Sequence, residues 1–168
     1  MKKYLFILSV LVIGLASCSK DKTTPQPVVD PAVQAKVDDD AIVAYLDAHP
    51  NIMAVKDASN NGLYYQIIDA GSGAAITASS KLVVSYLGTD LKDVQFDKND
   101  NFAFSLSQNI IAGWQLGVPK IKNGGKILLF IPSALGYGPY ANGALPANSV
   151  LVFTITIKSV DGVAPVID

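Results

Sequence analysis

Side chains able to make or break covalent bonds are scarce in this chain. His49 is the only histidine and Cys18 the only cysteine among 168 residues. One imidazole argues against a zinc site and against a nucleophilic triad built on histidine. One thiol cannot close an internal disulfide, so the fold must rest on its own core. The 14 acids are all Asp and the 13 bases all Lys, with no Glu and no Arg. Without guanidinium forks or a Lys-rich run, phosphate and base-edge recognition are poorly served, and nucleic acid is not an expected partner. Asp38-Asp39-Asp40 is the one acidic run. Consecutive helical residues point in different directions and no ligand cluster follows, so the run reads as a charged helix start and not a metal site. Gly71-Ser72-Gly73 and Gly136-Tyr137-Gly138 read as turns, since neither opens a predicted helix with the third glycine that a phosphate loop needs. Neither a cofactor nor a metal is expected.

The elements that must position any chemistry begin with the N-terminus. Met1-Lys2-Lys3 and the apolar run from Tyr4 to Ala16 have the basic and hydrophobic parts of a secretory signal, too short to span a bilayer, which needs about 20 residues. Leu15-Ala16-Ser17-Cys18 resembles the lipobox of bacterial lipoproteins, which implies removal of residues 1–17 and lipidation of Cys18. Cleavage would leave 11 Lys against 14 Asp, a balance of about −3. Residues 18–37, polar and Pro-containing, read as a lipid-anchored flexible tether with a reach on the order of 25 Å. Ser19 after the cysteine favours the outer membrane, facing the periplasm or the cell surface, over inner-membrane retention.

Half the residues are apolar and 16% charged, a profile that supports one packed domain with appendages. Residues 38–61 predict a short helical segment, with Ile42, Val43, Tyr45 and Leu46 at helical spacing and Pro50 ending it. From Gly62 the pattern turns to strands: Leu63 to Ile68, Lys81 to Leu87, Lys126 to Ile131 and Val150 to Val160. In the last, Leu151, Phe153, Ile155 and Ile157 face one way, and Thr154, Thr156 and Lys158 the other. One interior helix is predicted from about Asn109 to Leu116, with Ser107 as its N-cap and Ile110, Ile111, Trp114 and Val118 as its apolar stripe. Several strands, one interior helix and no βαβ alternation predict an antiparallel α+β domain over residues 62–160, followed by a tail at 161–168.

The order of landmarks in that domain resembles the FKBP family. The resemblance is carried by Val84-Ser85-Tyr86-Leu87-Gly88, Phe96-Asp97, Phe102-Ala103-Phe104-Ser105-Leu106, Ile110-Ile111-Ala112-Gly113-Trp114, Asn123-Gly124-Gly125-Lys126, Ile131-Pro132, Leu135-Gly136-Tyr137-Gly138, Leu145-Pro146 and Leu151-Val152-Phe153. It implies an antiparallel sheet wrapped around one short helix, and peptidyl-prolyl cis-trans isomerase activity on exported proteins. Tyr86, Phe96, Phe102, Ile110, Ile111, Trp114, Leu145 and Phe153 would form the substrate pocket, with Asp97 and Tyr137 as its catalytic polar groups. Ser107 in place of Gly, a short stretch between Gly138 and Pro146, Ala144-Leu145 and Ala147 depart from the family pattern around the loop over the pocket. The implied partners are proline-containing polypeptides and macrolide inhibitors, and a monomer is expected because the helical segment is short. The alternative is a membrane-tethered chaperone or peptide-binding module with little catalysis.

Overall fold

A computed structural model describes residues 30–165. Chain order is α1 (Pro31–Ala48), β1 (Val55–Lys56), β2 (Tyr64–Asp69), β3 (Lys81–Thr89), β4 (Gln95–Ser105), α2 (Ala112–Gly117), β5 (Lys126–Ile131) and β6 (Leu151–Val160). Short 3-10 turns occupy Val118–Lys120 and Ser133–Leu135. The six strands form one antiparallel sheet in the order β1-β2-β5-β6-β3-β4.

The period-two alternation of β6 decides which layer covers each face. Leu129 lies opposite Phe153 and Ile127 opposite Ile155, and all four are buried toward α2, with Trp114 and Val118. Phe130 lies opposite Val152, and these turn to the other face, where Ile42, Tyr45 and Leu46 of α1 cover them together with Tyr64 and Val150. The sheet is therefore sandwiched between two helices along β5 and the start of β6.

The expected tether ending at residue 37 is corrected by this helix, which starts at Pro31. Proline lacks a donor that the first helical position does not need, and the Asp30 carboxylate caps the end by accepting the Ala32 N–H at 2.8 Å. Asp38, Asp39 and Asp40 are thus not a helix start but lie in mid-helix, and each has its own partner. Asp40 pairs with Lys36 one turn back, Asp39 accepts from Lys56 and from the Tyr64 hydroxyl, and Asp38 turns inward.

The interior helix is also shorter than expected. It begins at Ala112, with Ile111 as an N-cap that has no side-chain cap bond. The Ser107 hydroxyl is not a cap either, for it bonds the Ser105 hydroxyl at 2.8 Å. Residues 107–111 are consequently a loop, and this leaves the Ile111 backbone N–H without an acceptor among the described residues. Strand β4, absent from the strands that alternation predicted, starts at Gln95, seven residues before the Phe102 landmark. Its polar Asp97–Asn101 stretch has little strand propensity, and pairing with β3 overrides it.

Two glycines set how closely α2 approaches the sheet. A Cβ on Gly113 would overlap the Ile131 side chain, and one on Gly117 would stand 2.6 Å from Leu129 Cδ2. Spaced one helical turn apart, they let the helix backbone rest directly on β5 and bring Trp114 down into the core.

Candidate active site

Trp114 is 2% exposed and forms the centre of an aromatic cluster. Tyr86 of β3 meets it at 5.1 Å between ring centroids and Phe153 of β6 at 5.2 Å, both nearly perpendicular. Phe102 of β4 approaches it edge-on at 6.3 Å and Tyr86 at 5.7 Å. Such edge-to-face pairs set positive ring edges against negative ring faces, each adding about 0.5–1.5 kcal/mol beyond burial. Strand register supplies this geometry, since Gly88 lies opposite both Phe153 and Asp97. A Cβ on Gly88 would fall 2.8 Å from Phe153 and 2.8 Å from Phe96, so its absence lets those rings meet at 5.4 Å.

The rings enclose a cleft of about 210 Å³ lined by Tyr86, Asp97, Phe102, Asn109, Ile110, Ile111, Trp114, Tyr137 and Phe153. Two expected wall residues are not among them. Phe96 stands behind Phe153, and Leu145 is buried in the main core. Asn109 takes a place on the wall that sequence reasoning missed, having read it as the start of the helix. A larger depression of about 310 Å³ lies elsewhere, between Lys81, Phe104, Gln108 and Ser159, and gathers neither an aromatic cluster nor an acid.

Polar groups converge on one side of the cleft. The Tyr86 hydroxyl donates to Asp97 Oδ2 at 2.7 Å, and Oδ1 of the same carboxylate accepts the Lys98 N–H at 2.8 Å. Burial first, and then the Asp97 bond, holds the Tyr86 phenol well above the usual tyrosine range. Burial, with Asp97 nearby, also pushes the Tyr137 phenol up, so it is a neutral donor at physiological pH. Its hydroxyl bonds no described residue, and neither does the Ile111 N–H. The Trp114 indole N–H is buried without an acceptor among the described residues. The site thus combines an apolar floor with unspent donors and one anchored carboxylate.

The raised Tyr86 value has a testable sign. A group whose folded pKa exceeds its unfolded value of 10.0 contributes stability that is complete below that pH and fades as pH rises through the folded value. The stability gap between wild type and Tyr86→Phe should therefore be constant up to pH of about 10 and narrow above it, as read by denaturant midpoints across the alkaline range. A gap that widened with pH would contradict the bond.

A sequence model of the FKBP-type peptidyl-prolyl cis-trans isomerases matches residues 73–158, which contain the whole lining of the cleft. The chain belongs to this family. The FKBP-type peptidyl-prolyl cis-trans isomerase FkpA of Escherichia coli (strain K12) is 36% identical over 142 residues, covering 79% of this chain and 52% of that protein. The outer membrane protein MIP of Legionella longbeachae is 32% identical over 134 residues, covering 77% of this chain and 55% of that protein. The chain spans about half the length of these curated relatives. The crystal structure of E. coli FkpA superposes with a TM-score of 0.62 at 34% identity, over 80% of this chain and 64% of that one. Helix α1, β1 and β2 of this FKBP lie outside the matched residues.

Proposed function

We propose that the chain is a peptidyl-prolyl cis-trans isomerase that assists folding of exported polypeptides. The observation carrying the proposal is the cleft itself: an aromatic floor formed by Trp114, with two donors at its edge, Tyr137 and Ile111, that have no acceptor among the described residues.

The chemistry needs no bond broken. The amide before proline is held planar by a rotation barrier of about 18–20 kcal/mol, and it exchanges in tens to hundreds of seconds unaided. Twisting that amide destroys its conjugation and reduces its polarity. An apolar cleft therefore favours the twisted state over the planar one, relative to water. Tyr86, Phe102, Trp114 and Phe153 would take the proline ring, and about 210 Å³ suits one such ring and its neighbouring backbone. That is below the roughly 300–1,000 Å³ of pockets for drug-sized ligands, so a macrolide would have to lie partly outside it. The Tyr137 hydroxyl and the Ile111 N–H would each hold a substrate carbonyl. Asp97, fixed by Tyr86, orients the wall and places negative charge beside the rotating bond.

A coupled assay on the full chain should show accelerated isomerisation of a Xaa-Pro peptide, reduced several-fold in Tyr137→Phe. Because Trp114 is the only tryptophan, peptide or macrolide binding should also change the intrinsic fluorescence. Peptide binding at an uncatalysed rate would favour the chaperone reading instead.

The placement in the cell rests on residues 1–18, which lie outside the described residues. The signal-like run and the Leu15-Ala16-Ser17-Cys18 tetrad support a cell-envelope lipoprotein anchored through Cys18, and the membrane-associated name of the Legionella relative agrees with this reading. Mass spectrometry of the membrane fraction should find acyl chains on Cys18; an unmodified N-terminus there would sink the anchor.

A further inference from the structure

Two acids are buried among the described residues, and only one has a cation. Asp57 pairs with Lys120 at 2.6 Å, whereas Asp38, 2% exposed, is met only by neutral donors. Gln34 Nε2 donates to Asp38 Oδ1 at 2.7 Å. Both donors of Ser133 converge on Oδ2, the backbone N–H at 2.8 Å and the hydroxyl at 2.7 Å. Ser133 is itself 1% exposed and opens the 3-10 turn that leads into Tyr137. Its carbonyl accepts the N–H of Gly136 and that of Gly138, each at 2.9 Å. Those are the two residues flanking Tyr137. A continuous chain of hydrogen bonds therefore runs from the back of the sheet, through a carboxylate and both ends of Ser133, to either side of the phenol at the cleft.

We infer that Asp38 is a positioning residue for Tyr137: by clamping Ser133 it fixes the turn that carries the phenol to the substrate. The inference rests on the proposed role of Tyr137 as a donor. It makes α1, which lies outside the family-matched residues, part of the catalytic apparatus without touching substrate. One side-chain oxygen that accepts from both donors of Ser133 fixes that residue at two points, which suits a clamp that must not slip.

A kinetic cycle on the full chain tests this, using Asp38→Ala, Tyr137→Phe and the double variant. Asp38→Ala should lower kcat/KM about tenfold, within the roughly hundredfold that a misplacement of about 1 Å can cost. In the Tyr137→Phe background the same change should have an effect under about twofold, because the two act as one unit. Amide exchange of the Gly138 N–H should speed up in Asp38→Ala while that of β5 is unchanged. Asp38→Asn, which keeps one acceptor oxygen for Ser133, should lose less than Asp38→Ala. Should Asp38→Ala fail to fold, Asp38→Asn and Ser133→Ala carry the same cycle. An equal loss in both backgrounds, or unaltered Gly138 exchange, would overturn the inference and leave the role of Tyr137 standing. Wild-type turnover in Tyr137→Phe would overturn that role itself.

Discussion

Trp114→Ala is expected to lower kcat/KM for a Xaa-Pro peptide by about ten- to hundredfold. Fully burying an apolar side chain is worth about 1.5–3 kcal/mol, and each 1.36 kcal/mol is tenfold in rate, so a proline ring that loses its floor loses roughly that range. Stability falls too, because Trp114 is also a core residue touching Phe104, Tyr86 and Phe153. Aromatic-to-alanine changes in a core cost about 3–5 kcal/mol, against a total of about 5–15. The assay is therefore run cold and with denaturant midpoints alongside, and Trp114→Phe serves as the variant that keeps the fold. It should retain a flat floor of reduced area and lose less activity. Full turnover in both variants would remove the cleft from the mechanism.

The second expected result concerns a residue with no side chain. Gly to Ala in a helix interior ordinarily gains about 1 kcal/mol, but Gly113→Ala should destabilise by about 1–3 kcal/mol. The added methyl would overlap Ile131, which is wholly buried in β5 opposite Leu151, and has Ile131 Cδ1 at 2.7 Å and Cγ1 at 2.8 Å as further neighbours. Overpacking outweighs propensity here. Relief comes from lifting α2, which moves the adjacent Trp114, so isomerisation should fall along with the denaturant midpoint. Leu116→Ala, exposed on the same helix and away from the cleft, should leave both near wild type. A Gly113→Ala protein as stable as wild type would mean that Ile131 turns aside without cost.

What was legible in the sequence was what repeats locally. The alternation of Leu151, Phe153, Ile155 and Ile157 marks a strand with one face in the core, and the structure buries all four. The order of landmarks in the resemblance supplied the aromatic lining, and Trp114, Tyr86, Phe102, Tyr137 and Phe153 do converge, while Phe96, expected with them, does not line the cleft. What was not legible depends on partners distant along the chain. Asp38 and Ser133 are 95 residues apart, and nothing local distinguishes an aspartate that turns inward from the aspartates on either side of it. Pro31 read as part of a linker because the same residue that breaks a helix interior also opens a helix, and only the Asp30 cap separates the two cases. Asn109 was hidden by a helix expected to start there, and the helix begins three residues later.

The layer that α1 lays over Phe130, Tyr64, Val150 and Val152 bears on where the protein can be cut. Trimming the chain to the family-matched residues would strip away α1, β1 and β2 together. It would bare a greasy sheet face and leave β5 as a naked edge, and open edges of that kind recruit further strands from other molecules. Such a fragment should clump on expression, whereas one starting at Asp30 should stay dispersed.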